Sequence, residues 1–448
     1  MSTDFQMQNN SFDLFKDKIF KLAHENNVQV QISYSKNRNF QVRYQNGDMD
    51  QYTDAGKFRL NITVLKDGKI GSSYAETFDA PERVFYDALE NIKIIDSDDI
   101  EYFYDGSGEY LKIEPYDNTF ENLPVMKRLS YVEIAHRKIR ESELILNDMA
   151  IYGDQMTESR IANTLGLDVS FVSGGGFMYA MAVAKDISPR SAGEFTIGKK
   201  PEEIDPEFVA VRARAEALQL VGSKSVKSGK YRVILRNDVF SDILSLLISM
   251  VNADNAHKNL TPLKGKLNKK IASEILSVYD VPSHPLSIVA TPFDAQGVPT
   301  KEKAIIENGI FKTFLHNLKT AKKDGIEPTG NAYGTTGIAP INLFVKPGLL
   351  NFEKLVEKLE DGIIIIEVEG IHSGANPISG NFSLGAKGLR IENGRITHGV
   401  EQITISGNFL ELLQKIIEVG NDLRAFIGMN GMVVPSVLLS DIDIAGNI

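Results

Sequence analysis

The period of the hydrophobic positions changes several times along the chain, and each change marks an element. Phe12, Leu14, Phe15, Ile19 and Leu22 recur at helical spacing, and Val28–Tyr34 then alternates with period two. Asn46-Gly47 and Asp67-Gly68 separate alternating runs and supply the positive φ that a type I′ hairpin turn demands. Pro81-Glu82 opens an amphipathic stretch carrying Val84, Phe85, Ala88, Leu89 and Ile92. The pattern predicts a small α+β unit that closes within 105–124.

Beyond it, Leu129–Leu146 reads as a long helix. Asp168–Ser173 and Phe177–Lys185 read as strands parted by a flexible Gly174–Gly176 loop, and Glu207–Leu220 as an Ala-rich helix behind Pro206. GSKSVKSGK (222–230) has little to bury and the composition of a linker. After it, 231–235, 286–291, 304–307, 310–315, 363–370, 388–391 and 401–407 read as strands, with hairpin turns at Asn308-Gly309 and Asn393-Gly394. Helices are expected at 237–252, 351–359 and 409–419. The expected class is α+β in three domains: an N-terminal α+β unit (1–120), a mixed central domain with the long helix (121–225) and a β-rich domain with a mostly antiparallel sheet (226–448).

Composition narrows the function more than the fold. Hydrophobic residues make up 42% of the 448, enough for a core, and the net charge of -10 disfavours a generic nucleic-acid surface. With 0 Cys, disulfides, thiolate zinc sites, iron–sulfur clusters and a catalytic thiol all drop out. No apolar run reaches membrane-spanning length, and no secretory signal pattern is visible at the N-terminus. The expectation is a cytoplasmic protein that binds neither membrane nor nucleic acid.

Candidate chemistry is sparse. The seven histidines (24, 136, 257, 284, 316, 372, 398) include no pair spaced to grip a metal from one helix. GEFTIGKK (193–200) resembles a phosphate loop but has Lys200 where a magnesium-binding Ser or Thr belongs, so it reads as a surface turn. Ser383 lacks the first glycine of a nucleophile elbow, because Asn381 stands there. The small and polar residues Gly374, Asn376, Ser379, Gly380, Asn381 and Ser383 follow a strongly apolar strand. They suit close approach and hydrogen bonding to an extended peptide, or a glycine loop that only turns the sheet. His372 beside them reads as a buried, hydrogen-bonded imidazole rather than a base.

Several blocks resemble the TldD/TldE (PmbA) family of metalloprotease-related proteins. They are QVRYQNGDMDQYTDAGKFRLNITVLKDGKIGSSYAE (41–76), FDAQGVPTKEKAIIENGIFKTFL (293–315), PTGNAYG (328–334), EGIHSGANPISGNFSLGAKGLRIENGRITHGVEQITISGN (369–408), EVGNDLRAFIG (418–428) and PSVLLSDIDIAG (435–446). In the TldD branch an H-E-x-x-x-H motif lies on the helix after the first strand of the last domain. Laid on this chain, the motif falls on Ser245, Leu246 and Met250. Leu246 cannot act as a base, Met250 is a poor zinc ligand, and the family's cysteine ligand is missing. The resemblance therefore implies the TldE (PmbA) branch: no metal and no catalytic residue in this chain, with zinc in a TldD-like sister subunit.

It further implies a heterodimer with that sister, or a homodimer, acting on unfolded peptides. His372, Gly374, Asn376, Ser379, Gly380, Asn381 and Ser383 are then the peptide-binding candidates. The bottom-up reading of the helix agrees, because Phe240, Ile243, Leu244, Leu247, Ile248 and Val251 form one apolar stripe. Two alternatives stand beside this: a hydrolase in its own right, with a scattered metal site or a Ser/Thr nucleophile, and a homodimeric peptide-binding or regulatory module.

Overall fold

The computed structural model describes residues 3–94, 100–428 and 430–447. Two long strands, Gln29–Gln45 and Asp48–Lys66, form the first hairpin, turning through Asn46 (φ 53°) and Gly47 (φ 91°). Asp67-Gly68, Asn308-Gly309 and Asn393-Gly394 also have positive φ at both residues, as the alternation predicts. Strand Gln29–Gln45 continues the sheet through Ile145–Asn163, Asp168–Ala184 and Arg190–Gly198, while Lys69–Ala75 pairs on the far side of the hairpin. All six strands are antiparallel neighbours in one sheet, so the chain on both sides of residue 120 shares it.

Four helices cover one face of this sheet. Thr3–Glu25 and Pro81–Asn91 bury Phe12, Phe15 and Phe85 against Val30 and Ile32. Val125–Ile139 and Pro206–Gln219 bury Val132, Ala135, Val209 and Ala213 against Phe40, Val42 and Ala180. The first of this second pair starts after Pro124 and ends before 145, earlier than expected, because Ile145, Ala150 and Tyr152 already belong to the strand's buried side.

Gly174–Gly176 is not a loop. Asp168–Ala184 runs through it as one strand. A Cβ on Gly174 would meet the Tyr116 ring at 2.7 Å, one on Gly175 the Ile288 side chain at 2.8 Å, and one on Gly176 the Phe120 ring at 2.5 Å. Glycine is required there because other segments cross the strand on both of its faces. GEFTIGKK likewise is no surface turn: Arg190–Gly198 is the edge strand of the sheet.

The last domain has two six-stranded sheets around one core. In the first, Gly229–Leu235 and Gly362–Glu369 run parallel at the centre. Arg395–Asn408 pairs with both Asn381–Glu392 and Val437–Ala445, so five of its strands close into a ring. The expected strand 286–291 is irregular chain. There Ser287 Oγ donates to Asn342 Oδ1 at 2.7 Å and Asn342 Nδ2 donates to the Val289 carbonyl at 3.0 Å, so an amide side chain satisfies groups that a ladder would otherwise take. The expected helix 409–419 stops at Gln414, and Ile416–Val419 pairs with Val437–Ala445 instead. The expected strand 310–315 contracts to Ile310–Phe311.

Candidate functional site

The stretch 237–252 is helical but breaks at Ser245, giving Asn237–Leu244 and Leu246–Met250. Its start is clamped: Asn237 donates its backbone N–H to Ser436 Oγ at 3.0 Å and its Nδ2 to the Asp422 carbonyl at 3.0 Å, and Ser436 Oγ donates to Asp422 at 2.6 Å. Phe240, Ile243, Leu244, Leu247 and Val251 are core, as the stripe predicts. The burial extends further than that stripe, for Leu246 (8% exposed) and Met250 (0%) are core as well. Ser245 Oγ turns back to donate to the Asp242 carbonyl at 2.6 Å. The side chains at 245, 246 and 250 therefore do not fit a zinc ion, since two are packed among hydrocarbons and the third bonds its own helix. Among the described residues no three His, Cys, Asp or Glu side chains gather into a metal cage.

The solvent side of the same helix carries charge. Arg236 at its entrance pairs with Asp238 and Glu216, and although burial opposes its charge, the two carboxylates hold it protonated. Asp242 keeps an exposed surface, yet the protein around it pushes its carboxyl up to about 6. Burial is the main cause; the charges of Asp238 and Glu367 add to it and His372 opposes it. Glu367 is also raised, by burial first and by Glu369, against Lys387. Lys387 Nζ lies 3.0 Å from Glu367 and 3.3 Å from Glu369, so one lysine serves two carboxylates.

His372 sits on the one-turn helix Ile371–Gly374 and is exposed, not buried. The hairpin after it is internally bonded. Asn376 Oδ1 accepts from the N–H groups of Ile378 (2.8 Å) and Ser379 (3.2 Å), while Asn408 Nδ2 donates to the Ser379 carbonyl and to Asn381 Oδ1, both at 2.9 Å. Gly380 is left-handed (φ 81°), and a Cβ on Gly374 would strike the Ser383 carbonyl. Asn376, Ser379 and Asn381 thus already shape the turn, whereas His372 and Ser383 point exposed side chains outward.

A second surface lies on residues that no motif marks. The uncovered face of the large sheet carries Ile151, Phe177, Tyr179, Met181, Phe195 and Ile197, brought side by side by the pairs Ile151↔Tyr179↔Phe195 and Phe177↔Ile197. All six are half-buried, and none packs into a core of the described chain. Phe177 lies across Gly153 and Tyr179 across Gly193, where any Cβ would meet the rings, and Phe177 stacks on Phe195 with centroids 6.0 Å apart. The Tyr179 hydroxyl is pushed up by burial and then by the charge of Glu367. Arg424 ties the edge of this sheet to the last domain by donating to Glu194 at 2.6 Å and to the Phe195 carbonyl at 2.5 Å. In the sequence this surface is marked only by the strand reading of Phe177–Lys185; which strand neighbours complete it depends on register.

Comparison with known proteins gives three adjoining family matches. Residues 30–92 match PmbA/TldA metallopeptidase domain 1, residues 118–221 the central domain and residues 228–446 the C-terminal domain. A solved Thermotoga maritima structure is 47% identical with a TM-score of 0.94, covering 97% of this chain and 100% of that one. TldE from Thermococcus kodakarensis shares the fold at 23% identity (TM-score 0.87; 96% and 100% covered). A Buchnera aphidicola protein named metalloprotease PmbA homolog is 27% identical over 95% of each chain.

Proposed function

Because the chain belongs to the PmbA/TldA metallopeptidase family, we propose that it is the zinc-less subunit of a TldD/TldE-type assembly, binding unfolded peptides and admitting them to a zinc-bearing sister. The observation that carries this reading is the packing of Leu246 and Met250 in the hydrophobic core, at the positions where the catalytic branch needs a base and a ligand. The chain itself then holds no cofactor, and hydrolysis belongs to the sister.

Two exposed surfaces support the peptide half of the reading. An apolar sheet face with flat aromatic rings accepts extended chain of varied sequence, and the exposed His372 and Ser383 can hydrogen-bond a peptide backbone. Gly374, Asn376, Ser379, Gly380 and Asn381 act by holding the hairpin that carries them in shape. The assembly is cytoplasmic in this reading.

Mixing the full chain with its candidate zinc-bearing sister, then measuring mass and cleavage of an unfolded peptide, tests the reading. It expects a stable complex of the two chains and faster cleavage than the sister achieves alone. Full activity of an uncomplexed sister, or chelator-sensitive cleavage by this chain alone, contradicts it.

A further inference from the structure

The N-terminal sheet leaves part of one strand unpaired along its outer edge. Strand Asp48–Lys66 pairs with Gln29–Gln45 on one side, but on the other Lys69–Ala75 reaches only Leu60–Lys66. Nearer the turn a bulge interrupts the ladder: Tyr44 faces Met49 and Arg43 faces Gln51, so Asp50 is the extra residue. Gln51–Arg59 is thus a regular run with a free edge, and among the described residues no other strand or isolated bridge touches it. Thr53 and Phe58 are half-buried and the rest of the run is exposed. It holds no proline, and Gly56 lies open, where a Cβ would meet only the Asn37 carbonyl, at 3.7 Å. Such an edge presents a row of backbone donors and acceptors ready for another strand.

We propose that this edge pairs antiparallel with the same edge of a second copy, about a two-fold axis at Ala55. A two-fold axis normal to the sheet sets identical edges antiparallel and keeps the helix-covered faces of both copies on one side. Opposed residues then share a face, so the pairing can slip only in steps that keep the faces matched. Use of the whole run, from the bulge to the end of Lys69–Ala75, centres it on Ala55. Tyr52, whose ring meets Phe40 at 5.4 Å, then faces Phe58 of the second copy on the helix-covered side. On the other side Gln51 faces Arg59 and Thr53 faces Lys57.

Charge favours the same register. Lys57 and Arg59 have no ion-pair partner among the described residues, and each meets a neutral acceptor in this pairing. Asp54, held by Arg38 at 3.7 Å, faces Gly56. An axis at Asp54 would set two carboxylates against each other, and one at Gly56 would shorten the ladder and lose the Tyr52–Phe58 pair. With Asp54 against Lys57 and Arg59, the run does not carry the negative excess of the whole chain. This surface lies apart from the helix 237–252, and the proposal does not depend on the zinc-less reading.

The 0 cysteines of the chain make the register directly readable. Ala55→Cys and Thr53→Cys are made singly in the full chain and oxidised mildly. Opposed Cβ atoms at the axis lie about 5 Å apart, whereas the two copies of residue 53 lie about 14 Å apart. The parent is expected to show twice the mass of one chain by light scattering. Ala55→Cys should link into a covalent dimer and Thr53→Cys should not. Ala55→Lys opposes two ammonium groups at an exposed position, so it should fold as the parent does and dissociate about tenfold more readily. A parent that stays monomeric, or a dimer unweakened by Ala55→Lys and unlinked by Ala55→Cys, overturns the proposal. Amides of 51–59 in a monomer that gain exchange protection only on adding the zinc-bearing sister or an extended peptide overturn it too, and assign the edge to that occupant.

Discussion

Leu246 and Met250 put hydrocarbon and thioether into the core of the last domain. Leu246→Glu should therefore destabilise the chain by about 3 kcal/mol or more, because a carboxylate there would be buried unpaired. Urea denaturation measures it, and the substitution should confer no zinc affinity. Glycines act at the same scale. Gly153→Val should cost about 1–3 kcal/mol by overpacking and also displace the Phe177 ring, lowering peptide affinity as well as the melting temperature. A variant as stable as the parent would refute the ring-on-glycine packing.

At the scale of elements, the helix 237–252 shows what period alone can and cannot say. The apolar stripe placed it and its core face, but the break at Ser245 follows from a side chain turning back on its own backbone, which leaves no periodic signal. Its clamp is equally non-local: Asn237, Asp422 and Ser436 meet only through the fold. Asn237→Ala should cost about 1–2 kcal/mol by orphaning buried acceptors, read as a lower urea midpoint with an unchanged slope.

The hairpin turns were legible because Asn-Gly and Asp-Gly announce positive φ locally. Gly174–Gly176 misled for the complementary reason. Glycine in a strand means close approach as often as a turn, and what approaches, Tyr116, Phe120 and Ile288, is remote in sequence. The region 286–291 looked like a strand because it is a short, largely apolar run, yet the Asn342 side chain, not a neighbouring strand, bonds its Val289 carbonyl. The hairpin residues 372–383 were legible as a candidate surface, whereas the aromatic sheet face was not. That face exists only once Ile151, Tyr179 and Phe195 are set in register.

For the whole molecule, buried carboxylates set the response to pH. Burial pushes Asp154 (beside Arg128), Asp242 and Asp294 each up to about 6, from an ordinary value of 3.8. For Asp294 this happens against three backbone N–H donors. A carboxyl raised in the native state binds its proton more tightly folded than unfolded, so these groups add stability as pH falls through 6 toward 4. Asp168 and Asp186 are held low and withdraw stability only below that range; for Asp168, Arg160 and Lys16 outweigh burial, and for Asp186 hydrogen bonds from Arg190 and Gly222 lead. The melting temperature should accordingly rise by a few °C between about pH 7 and about pH 5, then fall at lower pH. A monotonic fall from pH 7 downward would show that the three carboxyls stay ionised.

The account turns on whether this chain can hold the family's metal. Zinc titration of the purified full chain by calorimetry, repeated after Met250→Ala, decides it most directly. The account predicts no stoichiometric tight binding in either protein, with Met250→Ala merely less stable by about 2–5 kcal/mol. One tightly bound zinc per chain, lost on altering Ser245 or Met250, would contradict it.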